Sequence, residues 1–147
     1  MENRLELLKK VIGKEAKDGS PSPFGRWLNG RLIEAEEGRI KVEYLVRPEF
    51  SNPAGMIHGG AYAAIFDEVM GMTTYTLNQP EFFAAINLNV DFLRPSKVGE
   101  TITIISEIVR AGRTMVHAEA RIFGADGKIR AKACSNLAKT NFDHKKS

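Results

Sequence analysis

The chain has 147 residues but a single cysteine, Cys134, and no long uninterrupted apolar run. One thiolate forms neither an intramolecular disulfide nor a metal centre by itself, which fits a reducing compartment. A membrane-spanning helix needs roughly 18 consecutive apolar residues, and no segment approaches that length. The amino terminus is charged throughout and lacks the apolar core of a secretory signal peptide. We therefore expect a cytoplasmic protein that does not engage membranes.

The chain also has little excess charge and few histidines. Its 21 Lys and Arg residues against 18 Asp and Glu residues leave a net charge of +3. It contains no long basic run and no helix-turn-helix or zinc-finger spacing, so we do not expect nucleic acid as a partner. The histidines at positions 58, 117 and 144 do not pair with other ligands at metal-binding spacing, which predicts no metal site. A small anionic ligand needs only a few cations and remains possible.

A length of 147 residues and a hydrophobic fraction of 43% suit one domain with a sizeable core. Apolar residues recur every three or four positions in residues 2–17, which predicts an amphipathic helix that ends at the turn-forming segment DGSPSP. We divide the chain into an N-terminal helix with its linker (1–25), a main domain (26–142) and a flexible tail (143–147).

Beyond Trp27, apolar and polar residues alternate, which predicts strands, and Trp27 is expected to anchor the first strand to the N-terminal helix. A hairpin turns at Glu37-Gly38, and a loop rich in turn-forming residues leads into a helix that begins at about Gly59. Four β-rich runs follow, at residues 83–93, 101–111, 114–123 and 129–141. Because this order contains no strand–helix–strand crossover, it predicts an α+β fold with an antiparallel sheet.

The helix predicted over residues 60–77 has two unlike faces. One is a broad apolar face typical of a core, formed by Tyr62, Ile65, Phe66, Val69, Met70 and Met72. The other surrounds the carboxylate of Asp67 with small residues, namely Gly60, Ala63, Ala64, Gly71 and Thr74. A surface helix would carry Lys, Glu and Gln there, so the small residues indicate close packing on this side too. Either a curved sheet wraps the helix or a second subunit packs on it.

Asp67 is the strongest candidate for chemistry on this helix. Burial raises the pKa of a carboxylate, and no basic residue lies within a turn of Asp67 to offset the cost. Such a carboxylate suits a general base or a nucleophile. It equally suits a carboxylate that bonds to neighbouring backbone or faces water at a subunit edge, and both interpretations stay open. Glu68 lies at the boundary of this face. It is either a solvated residue at the edge of the face or the alternative catalytic acid.

The start of this helix carries the segment His58-Gly59-Gly60. Two glycines let a ligand approach the backbone, and the first N–H groups of a helix are unpaired, with the positive end of the helix dipole behind them. These features suit a carbonyl oxygen that becomes negative during a reaction. His58 would polarise or position the same group, or would only cap the helix; the sequence leaves both roles open.

Taken together, Asn52, His58-Gly59-Gly60, Asp67 nine residues after the histidine, and the segment NLNVDFLRPSKVGET resemble a known family. It is the PaaI-type branch of the hotdog-fold acyl-CoA thioesterases, within the 4-hydroxybenzoyl-CoA thioesterase-like superfamily. The resemblance covers roughly residues 26–140. It implies a hotdog fold, in which a curved antiparallel sheet wraps a long central helix, here with an extra N-terminal helix.

The resemblance also implies a mechanism for thioester hydrolysis. Asp67 would activate the attacking water or attack the thioester itself, and the Gly59 N–H would polarise the thioester carbonyl. Asn52 and His58 would orient the thioester or the water. The site would lie at a homodimer interface, with the acid from one subunit and the His-Gly-Gly loop from the other, and the dimers would pair into a homotetramer. Coenzyme A is part of the substrate, and no separate cofactor is expected.

For the remaining substrate contacts, the resemblance implies basic residues on loops near the site, which would meet the phosphates of coenzyme A. Arg94, Lys97 and Arg113 occupy the matching turns and would together form a local positive patch. Gly60, Thr74 and Glu68 complete the predicted substrate-binding set.

The sequence departs from the family at Ala84-Ala85, where some members carry a hydroxyl, so Thr73 or Thr74 would have to supply one. We expect a small aromatic or a short- to medium-chain acyl group, and its identity is not predicted. An aromatic ring would fit the acyl pocket as easily as a medium alkyl chain. The residues that could line the pocket are Phe50, Met56, Tyr75, Phe82 and Phe83.

Two other functions are compatible with the same fold. In an acyl-CoA-binding or regulatory module, Asp67 would only hydrogen-bond the ligand. In a hotdog hydroxyacyl dehydratase, His58 and Asp67 would shuttle protons on carbon. The loop here is Ile57-His58-Gly59-Gly60, which differs from the His-Phe-Pro motif typical of carrier-protein dehydratases.

Overall fold

The computed structural model describes residues 3–143 and begins with short helical segments. Helix α1 spans Arg4–Lys9, and a single 3₁₀ turn spans Ala16–Asp18. The helix predicted over residues 2–17 is therefore wrong in its second half. Gly13 adopts a left-handed φ of 87°, and its N–H donates to the Leu32 carbonyl oxygen at 2.8 Å, so the chain leaves the helix to follow the sheet edge. Residues 144–147 of the predicted tail lie outside the described residues.

A second helix, α2, at Pro23–Leu28, begins at the last residue of the segment predicted as a helix break. The hydroxyl of Ser22 accepts a hydrogen bond from the Gly25 N–H at 3.0 Å, and proline suits the first position of a helix because its missing N–H needs no partner there. Trp27 lies within α2, before the first strand. Its ring packs on Phe24 and Phe50 rather than joining β1 to the N-terminal helix.

Seven antiparallel strands form a curved, open sheet. The strands are β1 (Arg31–Glu36), β2 (Arg39–Leu45), β3 (Glu81–Ala85), β4 (Asn89–Phe92), β5 (Thr101–Ala111), β6 (Met115–Phe123) and β7 (Ile129–Asp143). The spatial order is β1-β2-β5-β6-β7-β3, and β4 also pairs with β7. The hairpin at Glu37-Gly38 and the last three strands match the prediction. The run at 83–93 instead forms two strands, because Asn87 interrupts it: its carbonyl oxygen accepts from the Ser135 hydroxyl, and its side chain accepts from the Asn136 N–H.

Helix α3, at Gly59–Tyr75, packs its apolar face against the sheet and forms the core. Ile65, Phe66 and Val69 are fully buried, and the Thr73 hydroxyl bonds that of Ser106 on β5 at 2.7 Å. The opposite face of α3 is only partly covered within the protomer, and Asp67 on it is exposed. A long central helix against a curved antiparallel sheet confirms the predicted α+β hotdog architecture. Within residues 3–143, no helix has the length and apolar character needed to cross a lipid bilayer.

Candidate active site

The loop before α3 is organised by Asn52. Its side-chain oxygen accepts hydrogen bonds from the N–H groups of Ala54 at 3.0 Å and Met56 at 3.2 Å, which closes a tight turn. The Asn52 N–H also donates to the Met56 carbonyl oxygen at 2.7 Å. Asn52 therefore shapes the loop through its oxygen, while its side-chain NH₂ has no hydrogen-bond partner in the described part of the chain.

The turn at residues 94–97 is fastened to the start of α3. The Ile57 N–H donates to the Ser96 carbonyl oxygen at 2.7 Å. The Tyr62 hydroxyl shares a 2.6 Å hydrogen bond with the buried Ser96 hydroxyl and donates to the Arg94 carbonyl oxygen at 3.2 Å. The Asn52 loop, the helix start and the Arg-Pro-Ser-Lys turn are thus held as one unit.

The first amides of α3 differ in their hydrogen bonding. The N–H groups of Ala61 and Tyr62 donate to the His58 carbonyl oxygen at 2.9 and 3.2 Å. The Gly60 N–H donates to the Nδ1 atom of His58 at 2.8 Å. Among residues 3–143, nothing accepts from the Gly59 N–H. A single unpaired donor therefore points outward at the positive end of the helix dipole.

His58 has a defined tautomer in this arrangement. Because a backbone N–H only donates, Nδ1 must be the acceptor, and in the neutral ring the proton lies on Nε2. The Gly60 N–H, predicted to contact substrate, is already occupied by this bond. The imidazole thus caps the helix with one nitrogen and offers a donor with the other.

The side chain of Phe92 lies directly over Gly59. A Cβ atom at position 59 would come within 3.3 Å of the Phe92 ring, which is tighter than ordinary van der Waals contact. The ring, 57% exposed, also stacks on Tyr62 with centroids 6.3 Å apart. Phe92 therefore flanks the unpaired amide. The alternating pattern of its strand gave no sign of this role.

The side chain of Asp67 on α3 makes no hydrogen bond or ion pair with any of the described residues. Protein atoms around it partly exclude water, which raises the pKa of its carboxyl above the usual range. No cation offsets this cost within the protomer. The carboxylate is accessible and poorly solvated, as a general base or a nucleophile requires.

Gly59 and Asp67 are eight residues apart on one helix. At 1.5 Å per residue, about 12 Å of helix axis separates them. A carboxylate that attacks the thioester directly must lie within roughly 6 Å of the N–H that binds the carbonyl oxygen, because each contact is about 3 Å long. A carboxylate that acts through one water lies about 3 Å further away. The spacing of the two backbone positions along the helix exceeds both of these distances.

Glu68 faces α2 instead of the Asp67 side. Its carboxylate lies so close to Gly25 that a Cβ atom there would fall 2.3 Å from Oε1. Burial raises the pKa of Glu68, the neighbouring charge of Asp67 raises it further, and a hydrogen bond from Ser22 lowers it in part. Glu68 thus fastens α2 to α3, and this contact depends on a glycine at position 25.

Thr74 shares a helix face with Asp67 but lies two turns further along. It is 7% exposed, and its hydroxyl donates to the Gly71 carbonyl oxygen at 2.6 Å. The Thr73 hydroxyl is bonded to Val69 and Ser106 in the core. The expectation that one of these threonines supplies a hydroxyl to the site is therefore not supported by their positions.

The three predicted phosphate-binding residues do not form one patch in the protomer. Arg94 donates through Nη1 to the Ile129 carbonyl oxygen at 2.7 Å, and Lys97 lines a cleft of about 480 Å³ beside the 2.6 Å ion pair of Arg130 and Glu100. Arg113 follows the far end of β5, whose 11 residues at about 3.3 Å each put it roughly 33 Å away. The predicted single patch is wrong for one protomer, because strand direction separates turns that are near in sequence.

The predicted lining of the acyl pocket is also dispersed. Phe83 is 3% exposed and belongs to the core. Met56 lines the cleft beside Lys97, and Phe82 packs edge-on against another ring at the open end of β3. Tyr75 lies near the carboxyl end of α3, where the Arg4 guanidinium covers its ring. Phe50 adjoins the helix start, where its carbonyl oxygen accepts from the His58 N–H at 2.7 Å.

A different cleft, of about 250 Å³, opens between α2 and the first turns of α3. Its walls include Phe24 and Trp27 from α2, Phe50 from the loop, and His58 and Ala64 from α3. The sequence analysis missed the two α2 residues. The signal that would have found them is Ser22-Pro23 as a helix start, followed by apolar residues at positions 24, 27 and 28.

Over residues 3–143, no three His, Cys, Asp or Glu side chains are grouped as metal ligands.

Comparison with known proteins gives a consistent result. The model of a family described as the Thioesterase superfamily matches residues 54–131. A Saccharolobus solfataricus protein named "Putative esterase" is 32% identical over 133 residues, which cover 90% of each chain. Human acyl-coenzyme A thioesterase 13 is 26% identical over 102 residues, covering 69% of this chain and 73% of its own. The E. coli PaaI protein from the phenylacetic acid degradation operon superposes with a TM-score of 0.77 at 20% identity, covering 84% of this chain and 88% of its own.

Proposed function

This chain belongs to the Thioesterase superfamily and is a thioester hydrolase, and on that premise we propose that its substrates are acyl-CoA thioesters. The name of the human relative supports acyl-CoA as the substrate class. We further propose that Asp67, Gly59, His58 and Asn52 form the catalytic site. The observation that carries this proposal is the unpaired Gly59 N–H, the one donor of the first turn that nothing among the described residues occupies.

In the proposed mechanism, the thioester carbonyl oxygen accepts a hydrogen bond from the Gly59 N–H. As the carbonyl carbon is attacked, its oxygen becomes negative, and the N–H together with the helix dipole stabilises that charge more than it stabilises the substrate. The Nε2–H of His58 and the NH₂ group of Asn52 are the neighbouring donors that orient the thioester or the water. Phe92 limits the access of bulk water to this point.

Asp67 supplies the attack in one of two ways. As a general base it takes a proton from water, whose oxygen bonds to the carbonyl carbon; the C–S bond then breaks, and the coenzyme A thiolate leaves and takes up a proton. As a nucleophile it forms a mixed anhydride with loss of the thiolate, and water then hydrolyses the anhydride. A carboxyl whose pKa burial has raised is more basic, and it serves either route.

The separation along α3 supports a dimeric site. We propose that the Gly59 N–H of one protomer and the Asp67 carboxylate of its partner act on the same thioester. Two α3 helices packed antiparallel would align the start of one with the middle of the other, and the small residues Ala63, Ala64 and Gly71 permit such close packing. Pairing of these dimers into a homotetramer is part of the proposal. Arg94 and Lys97 are the proposed contacts for the coenzyme A phosphates.

Three variants test the mechanism. Asp67→Asn should lower kcat for acyl-CoA hydrolysis by about 10²- to 10⁴-fold, because the amide can neither take a proton nor attack. Gly59→Pro removes the unpaired N–H at a helix position that accepts proline, after a residue whose ψ of 140° is compatible with a following proline. It should lower kcat by about 10²- to 10³-fold.

Gly59→Ala is the matched control, since it adds a Cβ atom against Phe92 but keeps the N–H. It should retain kcat within about tenfold of the wild type. Thiol release measured with a panel of acyl-CoAs gives these values. If the wild type binds the esters and releases no thiol above background, the protein is a binding module. If Asp67→Asn retains full activity, the catalytic acid lies elsewhere.

A further inference from the structure

The cleft between α2 and α3 adjoins the unpaired Gly59 N–H, because His58 and Gly60, its neighbours in the chain, both line it. Its outer wall is aromatic: Phe24 and Trp27 are 49% and 50% exposed. Their rings lie side by side, with centroids 6.0 Å apart and planes inclined by 17°. Exposed aromatic rings leave a large apolar area in water, so an apolar group seated in the cleft would gain by covering them.

The wall is held in place from behind. Trp27 packs on the buried ring of Phe50, with centroids 5.4 Å apart. The Arg47 guanidinium lies 4.9 Å from the Trp27 ring centroid and 4.4 Å from that of Phe50. Helix α2 is itself fastened to α3 by Glu68. A surface that is ordered before the ligand arrives binds it without the cost of ordering side chains.

The polarity of the cleft selects the apolar end of the substrate. Glu49 is the acidic residue in the wall, and its carboxylate is paired with Nε of Arg47 at 3.2 Å. No Lys or Arg of the described chain lines the cleft, so it does not suit the phosphates of coenzyme A. The acyl chain attached to the thioester carbonyl is the uncharged part of the substrate, and it suits this cleft.

The volume indicates how much of an acyl group the cleft can cover. The cleft is partly open to solvent and offers about 250 Å³. A water molecule occupies about 30 Å³ in the liquid, and an apolar carbon with its hydrogens takes a comparable share, so the cleft holds about eight non-hydrogen atoms. That is the size of a medium acyl group, whether a single ring or a chain of about eight carbons. An acetyl group leaves most of the cleft unfilled.

We infer that Phe24 and Trp27 of α2 are the specificity-determining residues, and that they select an apolar acyl group of about eight non-hydrogen atoms. This inference rests on the proposed function, since it assigns the acyl end of the proposed substrate to this cleft. The N-terminal helical segment thereby becomes part of the substrate site.

Trp27 is the single tryptophan of the chain, so its fluorescence reports on this cleft alone. The probes are S-octyl-CoA and S-ethyl-CoA, thioethers that cannot be hydrolysed, with coenzyme A as the reference. S-octyl-CoA should shift the emission of the wild type to shorter wavelength by removing water from the half-exposed indole. S-ethyl-CoA and coenzyme A should leave it unchanged. Trp27→Phe lacks the fluorophore and gives the background emission.

Kinetics test the selection independently. Phe24→Ala and Trp27→Ala should each lower kcat/KM for octanoyl-CoA by about tenfold or more, and change kcat/KM for acetyl-CoA by less than about twofold. Phe142→Ala is the matched control, because its ring is equally exposed, at 51%, but lies on β7 away from α2. It should change neither value. Trp27→Phe, which keeps an apolar ring, should retain most of the octanoyl-CoA preference, and an unchanged kcat/KM of Trp27→Ala for acetyl-CoA shows that its loss is not unfolding.

The outcomes separate this inference from the proposed function. If the wild type hydrolyses octanoyl-CoA, while S-octyl-CoA leaves the Trp27 emission unchanged and all variants keep the same preference, the inference is overturned and the function stands. If S-octyl-CoA shifts the emission and no acyl-CoA is hydrolysed, the cleft is supported as an acyl site and the proposed function fails.

Discussion

The unpaired Gly59 N–H and the Asp67 carboxylate lie on the same helix, separated by about 12 Å along its axis. This spacing supports the proposal that the Gly59 of one protomer acts together with the Asp67 of its partner. This relationship makes the dimeric site testable with variants that are inactive singly.

Mixing Gly59→Pro with Asp67→Asn under conditions that exchange subunits should restore activity. Each mixed dimer then combines the intact Gly59 of one protomer with the intact Asp67 of the other at one of its two sites. Random exchange makes about half of the dimers mixed, so about a quarter of the wild-type kcat should return. Refolding each variant alone is the control. If the mixture recovers no activity although mass measurement confirms mixed dimers, each site uses the residues of one protomer.

The enzyme should lose activity on acidification at a pH above the ordinary pKa of an aspartate. Burial raises the pKa of Asp67 above its ordinary value of 3.8, and only the ionised carboxylate attacks or accepts a proton. The value of kcat/KM should therefore decrease as the pH falls through the raised pKa. Gly59→Ala should keep this acid limb, and the residual activity of Asp67→Asn should lack it. A limb at or below pH 3.8 would contradict the assignment.

Glu68→Gln should stabilise the protein at neutral pH and have little effect at low pH. Burial raises the pKa of Glu68 in the folded state above its ordinary 4.5, so the folded state holds the proton more tightly than the unfolded state. The stability due to that proton is fully present below pH 4.5 and is lost as the pH rises through the folded-state pKa. A glutamine keeps the size and an acceptor for Ser22 without the charge.

The measurement is the difference in Tm between Glu68→Gln and the wild type from pH 4 to pH 8. It should increase with pH over the lower half of this range and then level off. Glu37→Gln, in the exposed turn between β1 and β2, is the matched control and should show no such increase. A difference in Tm that stays constant with pH would show that burial of the Glu68 charge does not contribute.

Local patterns predicted much of this structure. The hairpin at Glu37-Gly38, the start of α3 near Gly59 and the last three strands follow from alternation, helical periodicity and turn residues, all of which act over a few neighbouring positions. Asp67 and the His-Gly-Gly segment stood out for the same reason. The two-faced pattern of α3 indicated that something besides the sheet must pack on it, and the protomer leaves that second face partly open.

The amino-terminal region was predicted less well, because contacts distant in sequence decide it. The helix expected over residues 2–17 ends at Lys9, since Gly13 and Glu15 bond to the β1 region. Periodicity cannot report a competing hydrogen bond to a strand 18 residues away. The short helix α2 was obscured by the prolines of DGSPSP, which mark a break and, at Pro23, also a helix start.

By itself, the sequence determined the fold class, the central helix and the residue types available for thioester chemistry, because these depend on local preferences and on which residues carry a carboxylate or, like glycine, leave the backbone accessible. Only the tertiary structure decided which of them meet. It occupied the Gly60 N–H with His58, left that of Gly59 unpaired, separated Arg113 from Lys97 by the length of a strand, and brought Trp27 to the helix start. Each of these depends on the packing of distant segments, which no local pattern encodes.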